Sequence, residues 1–246
     1  MTDIATQEHA GSPGAAPPGT GRDGQRRAAG AWLVAGPAIF LVAELVTAAA
    51  WTDPPYSYTY DFISNLGVRG PSTLFGQAME SPLYWLMNAG FFAFGIAILV
   101  GVALLRGVSG WRRWAALLPA ALLAGGGVLL GLFPGSGEAL ENGTGDLHST
   151  GAFAGFLGGN ALAIVLGRFH RRLGLSAGMG RALVVVGVVG LVSTVAYLTL
   201  IMLSAGRSTV GVIGLVERGA VHPFLIGTLC AGASILRRPT PTRRRD

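Results

Sequence analysis

Two charged side chains interrupt the last apolar stretch of the sequence. Glu217 and Arg218 are neighbours where a charge at the centre of a membrane helix costs roughly 2.5 to 3.5 kcal/mol. Adjacent residues on a helix point about 100° apart, so each is expected to bind a group elsewhere in the protein. Arg218 and His222, four residues apart, share a face. Arginine suits phosphate or carboxylate ligands, because its planar fork donates two parallel hydrogen bonds. The alternative is that Glu217 and Arg218 reach out to water and headgroups.

The longest polar passage of the sequence, residues 56–67, joins the first two apolar runs. Three tyrosines alternate there with hydroxyl residues, and Asp61 and the pair Ser64-Asn65 follow. Such a segment offers donors, acceptors and amphipathic rings that suit the edge of a bilayer. Ser64 and Asn65 precede a glycine, so a turn is the alternative to a binding or nucleophilic role.

Further polar residues stand at the ends of other runs. His148 opens the fourth run behind Asp146, a short acid that suits a helix N-cap. His148 is then either a histidine at the membrane interface or a ligand and acid–base group. Glu44 in the first run and Asn88 in the second either line the same cavity or hydrogen-bond neighbouring helices.

These residues form two overlapping candidate sets at one end of the protein. The predicted ligand-binding residues are Tyr58, Asp61, Ser64, Asn65, Asn88, His148 and Arg218. The candidates for catalysis are Ser64, His148, Glu217 and His222. Each lies near a helix end, and bundle neighbours pack at about 8 to 10 Å between axes. We therefore expect Ser64, His148 and Arg218 to lie close together.

The sequence predicts no metal site and no cofactor. Cys230 is the only cysteine, which excludes an intramolecular disulfide and a cysteine-based zinc site. The candidate histidines His148 and His222 lack the short-spaced ligand partner that zinc sites use.

The composition indicates an integral membrane protein. Of 246 residues, 51% are hydrophobic and only 12% are charged, which is half the charge of an ordinary soluble domain. The formal net charge is +6, but no basic patch is interleaved with exposed aromatic residues. A charge bias at membrane loops explains the excess better than nucleic-acid binding does, and the expected partners are membrane lipids. The oligomeric state is not predicted.

Six apolar runs have the roughly 20 residues that cross a bilayer. The predicted fold is an all-α integral membrane protein, with six transmembrane helices in one bundle over residues 31–236. Its spans are residues 31–51, 83–106, 114–133, 148–168, 181–203 and 213–236. Residues 1–30 are predicted to be a disordered cytoplasmic tail because they lack large apolar side chains, and residues 237–246 a basic cytoplasmic tail.

The arginines predict the orientation. All 18 basic residues are arginines, and 15 of them fall on one side of such a bundle. Both termini are then cytoplasmic, in a multi-pass protein of the cell inner (plasma) membrane, and the candidate site is extracytoplasmic. Arg26-Arg27 and the alanines at 48–50 also fit a cleaved twin-arginine signal peptide. The long first run and the five further spans favour an uncut helix.

The chain resembles the bacterial and archaeal membrane-protein family known as domain of unknown function 998 (DUF998). The resemblance rests on residues 56–67 with their Ile63-Ser64-Asn65-Leu66-Gly67 motif, on Phe133-Pro134-Gly135 followed by His148 and Gly151, and on Glu217-Arg218. It covers residues 30 to 238 and implies a six-helix bundle, but no reaction. The family commonly has an acid where Asn65 stands, so the resemblance implies no metal or acid role there. The chain is more distantly similar to the Frag1/DRAM/Sfk1 membrane proteins.

Three functions are compatible with the sequence. The favoured one is a membrane protein without enzymatic activity, whose extracytoplasmic polar pocket binds lipid headgroups or a small anionic ligand. The first alternative is an intramembrane hydrolase that acts on a lipid and uses Ser64, His148, Glu217 and His222. The second alternative is a small-solute transporter, although no inverted repeat is evident.

Overall fold

The computed structural model describes residues 20–204 and 211–237, which contain eight α-helices, one 3-10 helix and one two-stranded hairpin. Six helices are long and apolar enough to cross a membrane, which confirms the predicted all-α bundle. The long helices are α1 Thr20–Ala50, α2 Tyr84–Leu104, α3 Trp111–Leu132, α5 Gly145–Arg168, α7 Ala177–Leu203 and α8 Ile213–Arg237. Two short helices, α4 Gly137–Glu141 and α6 His170–Leu173, lie in the connections.

The long helices form a closed ring. Each packs against the next in the order α1, α2, α3, α5, α7 and α8, and α8 closes the ring against α1. Contacts between α5 and α8 cross the interior. The rings of Phe40, Phe94 and Phe224 meet in the core, with centroids 5.4 Å apart for the first two and 6.2 Å apart for the last two. Buried aromatic packing therefore joins α1, α2 and α8.

A folded segment covers one end of the ring between α1 and α2. A 3-10 helix spans Ile63–Gly67, and the antiparallel strands β1 Ser72–Leu74 and β2 Gln77–Met79 form a hairpin. The proline and glycine residues of this segment predict that no long helix crosses it, but they do not predict the hairpin. We call residues 51–83 the loop segment and the end of the bundle that they cover the loop end. The opposite end, which carries Arg26, Arg106, Arg171 and Arg172, is the arginine end.

The first helix begins earlier than predicted. Residues 20–30 are helical, so assigning them to a disordered tail is wrong. Their side chains satisfy carbonyl groups that helix C-termini leave without partners. Gln25 Nε2 donates to Leu104 O at 3.3 Å, at the end of α2, and Arg26 Nη2 donates to Ile235 O at 3.1 Å, near the end of α8. Residues 1–19 and 238–246, and with them most of both predicted tails, lie outside the described residues.

The start of α5 also differs from the prediction. The helix begins at Gly145, so His148 lies inside its first turns and does not open it. Asp146 is not the N-cap: Thr144 holds that position without a side-chain hydrogen bond, and Asp146 lies in the first turn. There its carboxylate is near free backbone N–H groups, which favour negative charge.

Candidate functional site

A buried ionic cluster joins α1 to α8 at the loop end. Arg218 Nε lies 3.0 Å from Glu44 Oε1, and His222 Nε2 lies 2.8 Å from Glu44 Oε2. Glu44 is 1% exposed and Arg218 6% exposed. The two α8 side chains share one carboxylate because four residues separate them on a helix. This confirms that Arg218 and His222 share a face.

The remaining donors of Arg218 bind the loop segment. Nη1 donates to the carbonyl oxygens of Tyr58 at 2.8 Å, Asp61 at 3.2 Å and Gly214 at 3.0 Å. Nη2 donates to the hydroxyl oxygen of Tyr56 at 2.6 Å. Protein acceptors thus occupy both nitrogens at the end of the guanidinium group. This geometry favours a structural role for Arg218 over the predicted ligand role.

Two tyrosines of the loop segment enclose the guanidinium group. Its central carbon lies 5.5 Å from the ring centroid of Tyr56 and 4.7 Å from that of Tyr58, within cation–π range. The Tyr56 hydroxyl donates to Phe62 O at 2.9 Å. Burial raises the pKa of both tyrosines, and the positive charge of Arg218 opposes the shift. Both hydroxyls therefore stay protonated, and Tyr56 donates one hydrogen bond while accepting another.

Glu217 holds the 3-10 helix in place. Its Oε2 accepts a hydrogen bond from Ile63 N at 2.5 Å, and the side chain is 5% exposed. Glu217 and Arg218 therefore bind different groups, as the helix geometry predicts. Both are buried, so the alternative in which they reach out to water is wrong. Gly214, one turn earlier on α8, allows this helix to pack closely against the backbone at Asp61. A Cβ at this position would lie 2.2 Å from Asp61 O.

A cavity of about 220 Å³, the outer cavity, opens at the loop end between α5 and α7. Its walls are mostly apolar and include Phe153, Leu198 and Met202. The polar lining residues are Ser64, Asn65, Ser136, His148, Ser149 and Tyr197. None of the lining residues that the structure describes carries a carboxylate or guanidinium group.

A second cavity of about 40 Å³, the inner cavity, lies within the ring of helices. Phenylalanine rings from four helices surround it, and Glu217 and Ser64 are its polar lining residues. Its volume holds about two or three water molecules. Ser64 and Ala152 line both cavities, so one hydroxyl and one methyl group stand between them.

His148 has a defined orientation in the outer cavity. Its Nδ1 lies 2.8 Å from the carbonyl oxygen of Phe133, which can only accept a hydrogen bond. Nδ1 therefore carries a proton, and in the neutral ring Nε2 is the acceptor. A Cβ at Gly135 would lie 2.6 Å from Nε2, so this position tolerates no side chain. The Phe133-Pro134-Gly135 motif thus both orients the imidazole ring and leaves room for it.

Three other predicted ligand residues bind the protein itself. Asp61 Oδ2 accepts from Ser57 N at 2.7 Å, and Asn88 Nδ2 donates to Gly67 O at 2.9 Å. Asn65 is buried, and its Nδ2 donates to Gln77 Oε1 at 2.6 Å. These bonds stabilise the loop segment.

The predicted cluster of Ser64, His148 and Arg218 forms only in part. Ser64 and His148 line the outer cavity, whereas Arg218 is not among the residues that line it. The four candidates for catalysis are divided as well, because Glu217 lines the inner cavity and His222 binds Glu44. Within residues 20–204 and 211–237, no three His, Cys, Asp or Glu side chains are arranged to hold a metal ion.

Two residues that hold Arg218, namely Glu44 and Tyr56, are absent from both candidate sets predicted from the sequence. The sequence indicates Glu44 as a residue that lines a cavity or bonds a neighbouring helix, but not as the partner of Arg218. Of the three tyrosines, only Tyr58 is among the predicted ligand-binding residues. The sequence does contain a signal for the ion pair, because a charge within the membrane needs an opposite charge as its partner. Only three charged residues lie deep within apolar runs, namely Glu44, Glu217 and Arg218.

The fold and the loop end define a polytopic membrane protein whose six-helix ring carries a fixed polar segment and a mainly apolar cavity. The chain belongs to the family described as "Protein of unknown function (DUF998)", whose model matches residues 34–234. The match confirms the family resemblance, while the similarity to Frag1/DRAM/Sfk1 proteins stays a prediction. No curated protein and no solved structure matches the chain.

Proposed function

We propose that this protein binds a membrane lipid or a similar amphiphile in the outer cavity, on the extracytoplasmic face predicted from the arginines. The observation that carries the proposal is one cavity that combines apolar walls from α5 and α7 with hydrogen-bonding groups at the loop end. A lipid in the membrane likewise has apolar acyl chains towards the bilayer centre and polar groups towards the surface. Binding sites for small molecules are generally mostly apolar with a few polar groups.

The position of the mouth supports entry from the lipid phase. Met202 of α7 lines the cavity and is 71% exposed, and Leu140 of α4, which also lines it, is exposed as well. Met202 belongs to α7 and therefore to the outer surface of the ring, where acyl chains would meet the protein. An acyl chain lying along α7 would then leave its polar end against Ser64 and His148.

The lining selects among the polar parts of a lipid. The described lining residues offer serine hydroxyls, an amide and an imidazole, but no arginine. Arg218, the residue expected to bind phosphate, donates to the protein instead. The outer cavity therefore suits the hydroxyl or ester region of a lipid better than its phosphate.

A lipid analogue that carries a diazirine on its acyl chain tests the proposal by photocrosslinking to the purified protein. We expect crosslinks on α5 and α7 near the loop end. Ser149→Trp should reduce them about tenfold, equivalent to ~1.4 kcal/mol of binding free energy, by filling the cavity. Thr150→Trp is the matched control, because Thr150 is the next residue of α5, is also exposed and does not line the cavity. Equal crosslinking of both variants would reject the proposal.

One observation favours hydrolysis of the bound lipid as a second candidate. Ser64 Oγ has no hydrogen bond to another described residue, and it shares the outer cavity with the free Nε2 of His148. A serine and a histidine base are the minimum for acyl transfer. Incubating the protein with a fluorogenic ester lipid should then release fatty acid in the wild type but not in Ser64→Ala. Crosslinking without release by the wild type would leave binding as the function.

A further inference from the structure

Four arginines surround a second large cavity, at the arginine end of the bundle. Arg26, Arg106, Arg171 and Arg172 line a space of about 280 Å³, together with backbone near Gly107 and Gly174. The four side chains come from the start of α1, from the end of the α2 region and from α6. This cavity lies at the opposite end of the protein from the outer cavity.

We propose that this arginine cavity binds a phosphate group, as found in the headgroup of an anionic membrane lipid. Guanidinium groups bind phosphate oxygens through paired, charge-assisted hydrogen bonds. Arginines from three separate segments line this one cavity, and several guanidinium groups can share the oxygens of one phosphate.

Two of the four arginines are held in place by the protein. Arg26 Nη2 donates to Ile235 O at 3.1 Å, and Arg106 donates through Nε and Nη2 to Gln25 Oε1, with the Nε bond at 2.6 Å. Arg171 and Arg172 are exposed and make no side-chain hydrogen bond to another described residue. Two arginines of the site are therefore fixed by the protein, and the guanidinium groups of the other two are free to bind a ligand.

The charges of the described residues at this end favour an anion. Asp23 is the only acid that the described part of the chain places here, and no ion pair in that part involves these four arginines. Four like charges around one cavity repel one another, and a bound phosphate offsets that repulsion. Residues 1–19 and 238–246, which lie outside the described residues, contain three further acids and four further arginines.

Aromatic residues indicate the depth of the cavity. Trp111 and Trp114, at the start of α3 on the same end, are 65% and 63% exposed. Exposed tryptophans mark the headgroup level of a bilayer. The arginine cavity therefore lies at the depth where lipid phosphates are found, which favours a lipid over free phosphate as the source.

Native mass spectrometry tests the site on the full-length protein, released from nanodiscs of mixed phosphatidylglycerol and phosphatidylcholine. We expect the wild type to retain phosphatidylglycerol, and Arg171→Gln/Arg172→Gln to retain at least about tenfold less, because the variant loses the two guanidinium groups that are free to donate to the phosphate oxygens. Arg168→Gln/Arg181→Gln is the matched control: it removes two exposed arginines from the same end that do not line the cavity. An equal loss in both double variants would overturn the proposal, because it would show only diffuse attraction.

A second measurement identifies the source of the phosphate. In nanodiscs of phosphatidylcholine alone, inorganic phosphate should leave the melting temperature of the wild type unchanged if the ligand is a lipid. A rise with phosphate that is lost in Arg171→Gln/Arg172→Gln but kept in the control would assign the same site to soluble phosphates. The absence of both lipid retention and a phosphate response would refute a phosphate site.

Discussion

Glu44 of α1 and Arg218 of α8 form an ion pair at 3.0 Å although 174 residues separate them in the sequence. Their side chains are 2% and 7% exposed. The pair joins the first and last helices of the ring, and Arg218 connects both to the loop segment through Tyr56 and Tyr58. One guanidinium group therefore fixes the relative positions of two helices and a loop.

Removing either partner of this pair should destabilise the protein strongly. Glu44→Ala leaves the Arg218 charge buried without its carboxylate, and the expected loss is about 3 to 5 kcal/mol of unfolding free energy. The matched control is Glu80→Ala, an exposed acid at the same end, with an expected loss of at most about 1 kcal/mol. Melting temperatures in mild detergent provide the comparison.

The double variant Glu44→Leu/Arg218→Met extends this test. Because it removes both charges together, it should melt above each of its two component variants, Glu44→Leu and Arg218→Met. If the double variant were as unstable as the sum of the single ones, the two side chains would be energetically independent.

Glu217→Ala should release the 3-10 helix. Ile63 N would lose its acceptor, so amide hydrogen exchange in residues 63–67 should become faster, and the protein should accumulate less than the wild type. Glu138→Ala is the control, because Glu138 is exposed and accepts its Ser72 hydrogen bond outside the bundle. Unchanged exchange in residues 63–67 of Glu217→Ala would contradict the anchoring role.

Glu138 should contribute a pH-dependent stabilisation of the loop end. Hydrogen bonds from its own backbone N–H and from the hydroxyls of Ser72 and Ser136 lower its pKa below the usual value of 4.5. A lowered pKa in the folded state means that the stabilisation is present at neutral pH and is lost as the pH falls through that lowered pKa. The melting temperature of the wild type should exceed that of Glu138→Gln at pH 7, and the difference should vanish in acid. Ser72→Ala should reduce the difference in melting temperature that Glu138→Gln causes at neutral pH. A difference that stays constant at all pH values would exclude the charge of Glu138 as the cause of the stabilisation.

The orientation of the protein is a prediction that reporter fusions can test. Since the sequence assigns 15 of the 18 arginines to segments predicted to share one side, a C-terminal fluorescent protein that folds only in the cytoplasm should be fluorescent. A reporter active only outside the cytoplasm should work when inserted after Glu138. A dark C-terminal fusion combined with an inactive reporter at Glu138 in an accumulating protein would contradict the predicted topology.

The bundle could be predicted from the sequence because each membrane helix is determined locally, by its apolar length and its flanking arginines. The loop end depends on long-range pairing, which no local pattern contains. The Ile63-Ser64-Asn65-Leu66-Gly67 motif predicts a turn, but its bond to Glu217 spans 154 residues. Similarly, α1 extends to Thr20 because Gln25 and Arg26 donate hydrogen bonds to carbonyl groups of other helices. The polar composition of residues 20–30 does not reveal these distant acceptors.

The pairing of the first and last helices also constrains the order of events during biosynthesis. Glu44 leaves the ribosome with the first helix, whereas Arg218 and His222 follow only after four further membrane helices have been made. Until then the carboxylate must remain hydrated, be protonated or be shielded inside the insertion machinery, because a lone charge in hydrocarbon is unfavourable. A chain truncated before residue 213 should therefore hold its first helix poorly in the membrane and become a substrate for quality-control proteases.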